Sequence, residues 1–161
     1  MTRPNDVDFS FHLWPHGWST AILWVDGKST EFNLTHVFND PLESLINSTT
    51  RLATGGSSST IEWSDEPGTY IVKLNVIKTE RHLLSVDIEE YSPELPLHTP
   101  NDLTKTTTFN VSRDYWLHIV GAELQKIADS FGHRNYRESR DYVFPRNLYD
   151  TCERALRNNR A

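Results

Sequence analysis

Four arginines crowd the C-terminal part of the chain, Arg134, Arg137, Arg140 and Arg146, with Tyr136 and Tyr142 set between them. A guanidinium grips phosphate or carboxylate through two parallel hydrogen bonds, and a tyrosine ring stacks on a base. Arg134, Arg137, Arg140 and Tyr136 therefore form a candidate anion clamp. A plainer reading competes with it. Glu138 and Asp141 lie in the same stretch, so the arginines equally suit a role as ties between this segment and an acidic body.

Other chemistry-bearing residues fall short of a site. Asp65-Glu66 and Glu89-Glu90 are paired carboxylates. General acid–base work needs a carboxyl whose pKa is raised by burial. Asp65 and Glu66 sit in a turn pattern, and adjacent strand residues such as Glu89 and Glu90 point to opposite faces. His12 and His16 have a metal-like spacing of four, but Pro15 between them bars the helix that would align them, and no His-Glu-x-x-His is present. There is no Gly-x-Ser-x-Gly, and Cys152 falls on the apolar stripe of a helix. Gly55-Gly56-Ser57-Ser58-Ser59 matches a phosphate loop in composition only. It follows a helix, precedes a strand and lacks the Gly-Lys-Ser/Thr ending. No catalytic residue, metal ligand or cofactor is assigned.

The chain has 161 residues, a length that suits one domain with a real core. Five Trp, seven Phe and six Tyr supply its bulk. One cysteine forms no internal disulfide, and no apolar run follows Met1-Thr2-Arg3-Pro4, so the expected address is a reducing cytoplasm without membrane insertion. The formal charge is −6, of which residues 133–161 carry +3 and the preceding residues −9. An acidic body disfavours nucleic acid, where phosphate neutralisation drives affinity, and suits a basic protein partner. Ordinary solubility accounts for such a charge as well.

Period and turn chemistry lay out the elements. Val7, Phe9, Phe11 and Leu13 alternate with polar residues, as in a half-buried strand. Trp18–Val25 is apolar on both faces at its end, as in a central strand. Asp26-Gly27 predicts a type I′ hairpin to Lys28–Leu34. Asp40-Pro41-Leu42-Glu43 opens a helix with a capping box, and Gly55-Gly56 closes it. A three-strand meander spans 60–91, with turns at Asp65-Glu66-Pro67-Gly68 and at Thr79–His82. Three prolines mark residues 92–102 as a loop. Thr104–Val111 reads as an edge strand. Ser112 caps a long helix, Arg113–Phe131, whose stripe includes Trp116, Ile119, Leu124, Ile127 and Phe131. A last helix covers Arg146–Arg157. The expected fold is a single α+β domain over 1–161. It has a mainly antiparallel sheet of six to seven strands in the order β-β-β-α-β-β-β-β-α-α, packed against helices, with an Arg-rich segment at 133–161.

Several of these marks together carry a resemblance. They are the strand pair closed by Asp26-Gly27, the Asp40-Pro41-Leu42 helix start and the Trp63 to Glu66-Pro67-Gly68 hairpin. The Trp116 helix, followed by Phe131-Gly132 and Phe144-Pro145, completes them. In this the chain resembles a loose group of small bacterial cytoplasmic proteins, among them immunity-type proteins of polymorphic toxin systems. The resemblance implies a binding role, such as neutralising a toxin domain, and brings no catalytic residue with it. Two hypotheses stand. The first is a non-catalytic protein-binding module with a basic partner, using Asp65, Glu66, Asp87, Glu89 and Trp18; homo-oligomerisation stays open. The second is a small enzyme or ligand-binding domain using the Arg/Tyr clamp.

Overall fold

The computed structural model describes residues 4–66, 68–91, 103–131, 136–137, 140 and 143–160. The elements run β1 (Val7–Leu13), β2 (Ser19–Val25), β3 (Lys28–Leu34), α1 (Pro41–Ala53), β4 (Ser58–Ser64), β5 (Thr69–Ile77), β6 (Glu80–Tyr91), β7 (Leu103–Ser112), α2 (Arg113–Ser130) and α3 (Arg146–Arg160). A single 3₁₀ turn, Pro15–Gly17, joins β1 to β2. The chain is α+β and every strand pairing is antiparallel.

Local chemistry accounts for most boundaries. Asp26 and Gly27 take φ of 50° and 77°, both positive as a type I′ loop requires. The Asp40 carboxylate accepts from the Leu42 N–H at 2.9 Å, and Pro41 occupies the first helical position. The Ser112 hydroxyl accepts from the Tyr115 N–H at the start of α2. One turn falls earlier than the residue pattern suggested. β6 begins at Glu80 and pairs that residue with Ile77, so Lys78-Thr79 makes the reversal rather than Thr79–His82. The irregular register there lets β6 run for 12 residues.

The seven strands divide into two sheets, ordered β1-β2-β3 and β4-β5-β6-β7, where a single sheet was expected. Residues 35–40 and α1 intervene between β3 and β4, leaving one bridge, Thr35 to Ser64. The opposite margins also touch. The Asn5 N–H donates to the Asn110 carbonyl at 2.7 Å, and the Asn110 N–H donates to the Asn5 side chain at 2.9 Å. β2 is the central strand of its sheet, as its two-sided apolar end implied.

Aromatic rings fill the space between the layers. Phe11 and Phe32 on the first sheet meet Trp63 on the second at 6.3 and 5.9 Å, and Phe9 meets Trp116 of α2 at 6.0 Å. The buried Trp63 indole donates to the Pro41 carbonyl at 3.1 Å, which fixes α1 on β4. On α2, Trp116, Ile119, Leu124 and Ile127 are buried, while Phe131 is half-buried at the C-cap. The free Cys152 of α3 is buried and lies within reach of Thr50 on α1. Among the described residues no helix is long and apolar enough to cross a membrane.

Two measurements check this core. Trp116→Ala should cost about 3–5 kcal/mol in a denaturant melt, the usual loss for a large buried aromatic. Burial pushes the Cys152 thiol pKa up, keeping it protonated at neutral pH, so a thiol reagent should label it only after unfolding. Fast labelling of native protein would contradict the packing of α3.

Candidate functional site

Four of the exposed large apolar side chains gather on two neighbouring turns. Trp14 and Trp18 flank the Pro15–Gly17 turn with 52% and 38% of their surface open. Val37 and Phe38, on the connection between β3 and α1, are 60% and 74% open. Gly17 brings the two turns together. Its φ is +81°, and a Cβ there would lie 1.8 Å from His36 Nδ1, so only glycine allows this approach. His36 Nδ1 lies 3.2 Å from the Gly17 carbonyl. His16 beside it holds φ 62°, an uncommon conformation for a residue with a side chain.

A buried arginine holds this corner in place. Arg140 is 2% exposed. Its guanidinium donates to the carbonyls of Trp18 at 2.9 Å, Gly17 at 3.1 Å and Trp14 at 3.5 Å, and to the Ser19 hydroxyl at 2.8 Å. Those acceptors span the whole turn, because the Trp14 N–H also bonds the Trp18 carbonyl at 2.8 Å. The fully buried Tyr136 ring lies 5.5 Å from the guanidinium carbon. Its hydroxyl donates to the Asp40 carboxylate at 3.4 Å. Burial pushes the Asp40 pKa up; the Leu42 N–H and the nearby Arg140 charge work against that rise. One network thus joins the C-terminal segment, the α1 cap and the exposed turn.

The rim adds polar groups. The Trp14 indole donates to Thr20 at 2.8 Å, which orients the ring. The Thr35 hydroxyl lies 3.5 Å from Glu66, and the Thr35 N–H bonds the Ser64 carbonyl, so the Asp65-Glu66 turn borders the aromatic corner. Glu66 is exposed. Asp65 has its pKa raised by burial beside the Tyr70 hydroxyl, and Tyr70 is itself pushed up to about 12 by burial and the Asp65 charge.

Trp18, Asp65 and Glu66, singled out from sequence, therefore lie around one corner. Asp87 and Glu89 do share one strand face, on the outer side of the second sheet, but each already has partners. Asp87 accepts from Thr108 at 2.7 Å. Glu89 is held by Lys73 and the Tyr91 hydroxyl, both at 2.6 Å, and those bonds lower its pKa. Of the anion-clamp residues, Arg140 and Tyr136 are buried in the network above and Arg137 is exposed. Arg134, Glu138, Asp141, Tyr142 and the 92–102 loop lie outside the described residues. Among the described residues no group of three His, Cys, Asp or Glu side chains could hold a metal.

Val37, Phe38 and the role of Arg140 escaped sequence reasoning. The signal for the first two was an apolar pair in a six-residue connection, where no period explains it. Arg140 carried no such signal, because its acceptors lie more than 120 positions away.

No family model and no curated protein matches the chain. Its fold is similar to that of a chain in the solved CdiA-CT/CdiI toxin and immunity complex from Enterobacter cloacae. The identity is 13% and the TM-score 0.47, with 73% of this chain and 99% of that chain covered.

Arg140→Ala removes the guanidinium donor from the Trp14, Gly17 and Trp18 carbonyls and from the Ser19 hydroxyl, leaving the Trp18 carbonyl its bond from the Trp14 N–H. It should destabilise the fold by about 1–3 kcal/mol, the usual cost of leaving a buried polar group unsatisfied. Arg140→Lys should rescue only part of that loss, since an ammonium lacks the planar fork. Equal melting curves for the lysine variant and the parent would refute the assigned geometry.

Proposed function

We propose that this chain is a non-catalytic protein-binding module of immunity type, which neutralises a basic toxin domain in the cytoplasm. Trp14, Trp18, Val37 and Phe38 are its contact surface. One observation carries the reading: two open tryptophans and a phenylalanine stand on neighbouring turns that a buried arginine and a glycine contact hold rigid. Tryptophan anchors dominate binding energy in protein interfaces, and a preordered anchor loses little entropy on docking. Exposed apolar side chains gathered at one place mark an interaction site more reliably than scattered ones. Glu66 at the rim and the acidic body favour a basic partner and speed its approach.

The partner-free protein tests the surface first. Trp14→Ala and Phe38→Ala should change the melting temperature little, because both side chains are open to solvent. With the partner captured from the native host, each should weaken binding by about 2 kcal/mol or more, as hot-spot truncations do. Association should slow as salt rises, and Glu66→Lys should lower the on-rate. Unchanged affinity in the Trp14, Trp18 and Phe38 variants together would place the interface elsewhere.

A further inference from the structure

The first sheet turns Phe9, Phe11, Leu23 and Phe32 into the core. Alternation therefore puts Ile22 and Trp24 of its central strand on the outer face, where both stay part-open to solvent. Helix α2 meets β1 elsewhere, through Phe9 in the core and through the Phe11 N–H at the strand edge. This outer column joins the aromatic corner. The Trp14 indole donates to Thr20 at 2.8 Å, and its ring lies 6.2 Å from that of His12. Thr20, Ile22 and Trp24 follow one another on the same face, so Trp24 stands about 13 Å along the strand from Thr20.

The charge around Trp24 has one sign. Asp8 lies directly across from it on β1, and Glu31, opposite Ile22 on β3, is its diagonal neighbour. A diagonal pair is about 7–8 Å apart, within reach of long side chains. Asp8 and Glu31 are exposed, and neither makes an ion pair among the described residues. One Asp8 oxygen accepts from the Phe9 N–H at 2.8 Å. Asp6, exposed ahead of β1, adds a further carboxylate. Among the described residues of this face there is no lysine or arginine. Lys28 pairs with Val25 and belongs to the inner side, where it lines the cleft between the sheets. The remaining ionisable side chain, His12, sits at the Trp14 end, where Lys126 of α2 is paired with Glu123 at 2.6 Å.

We propose that this face seats an arginine of the protein partner, its guanidinium stacked on Trp24 between the Asp8 and Glu31 carboxylates. The inference rests on the reading of the chain as a module for a basic protein, and it gives that partner a second contact of defined chemistry beside the aromatic corner. Tryptophan attracts a cation over its ring more strongly than phenylalanine or tyrosine does. A guanidinium suits the place better than an ammonium, because it lies flat on the indole while its edge donates to the flanking carboxylates. Other occupants fit less well. A phosphate would meet carboxylates of its own sign, and an apolar side chain would desolvate them without a partner.

The test titrates the whole protein at low salt with the blocked tripeptide Gly-Arg-Gly, and with its citrulline counterpart as the uncharged control. The indole N–H resonances report each ring separately, assigned through Trp14→Phe, Trp18→Phe and Trp24→Phe. Millimolar arginine peptide should move the Trp24 signal, and the citrulline peptide should leave it in place. Asp8→Asn combined with Glu31→Gln changes two exposed side chains, so the fold should hold while peptide affinity falls by about fivefold or more. Asp87→Asn on the second sheet should change nothing. Phe38→Ala should leave the Trp24 response intact, which separates this face from the corner. Against the captured partner, affinity lost in the Asp8/Glu31 variant but kept in Phe38→Ala would retain this face and reject the corner; the reverse would reject this face alone. A Trp24 signal that ignores the arginine peptide, or follows citrulline equally, would overturn the proposal. So would a Trp24 signal displaced in the free protein by Arg3→Ala, which would make the occupant the chain's own arginine, or by dilution, which would make it a second copy.

Discussion

The structure depends on a buried guanidinium. Placing Arg140 in the interior is unfavourable unless its donors are met, since a buried charge without partners costs several kcal/mol. The terminal nitrogens of the guanidinium are met by carbonyls of a tight turn and the Ser19 hydroxyl, while its buried Nε has no hydrogen-bond partner among the described residues. The consequence is long-range order. A residue near the C-terminal helix decides the shape of a turn near the start of the chain, and Asp40 and Tyr136 extend the tie to the first helix. The aromatic corner is held in place by that closure.

The two-sheet arrangement has a second consequence. Sheets that touch at both margins without full pairing enclose a core and leave gaps where the strands part. At the Thr35–Ser64 margin α1 lies against β4, and Pro41 and Ser44 of its first turn accept from the Trp63 indole and the Glu62 N–H. At the Asn5–Asn110 margin the two sheets are joined, among the described residues, by the bonds of one residue on each side.

Much of the fold was legible because its signals are local. Asp26-Gly27 specified a hairpin by its backbone preference, Asp40-Pro41 a helix start by capping, and the Trp116 stripe a buried face by period. The site was legible only in part. Trp18 and Glu66 were singled out and border the proposed corner, yet the alternation that placed Asp87 and Glu89 on one face says nothing about Lys73 or Thr108 on neighbouring strands. Those partners depend on register, which strand pairing decides.

The sequence by itself determined the class of fold, the order of its elements and most of their boundaries, because capping, turn conformation and hydrophobic period act within a few residues. Tertiary structure alone decided that the strands part into two sheets, that Arg140 serves the interior, and that Trp14, Trp18, Val37 and Phe38 share a corner. Each of these rests on contacts between distant positions. An arginine reads the same in sequence whether it meets solvent, a ligand or a ring of backbone carbonyls; only the folded chain brings the carbonyls to it.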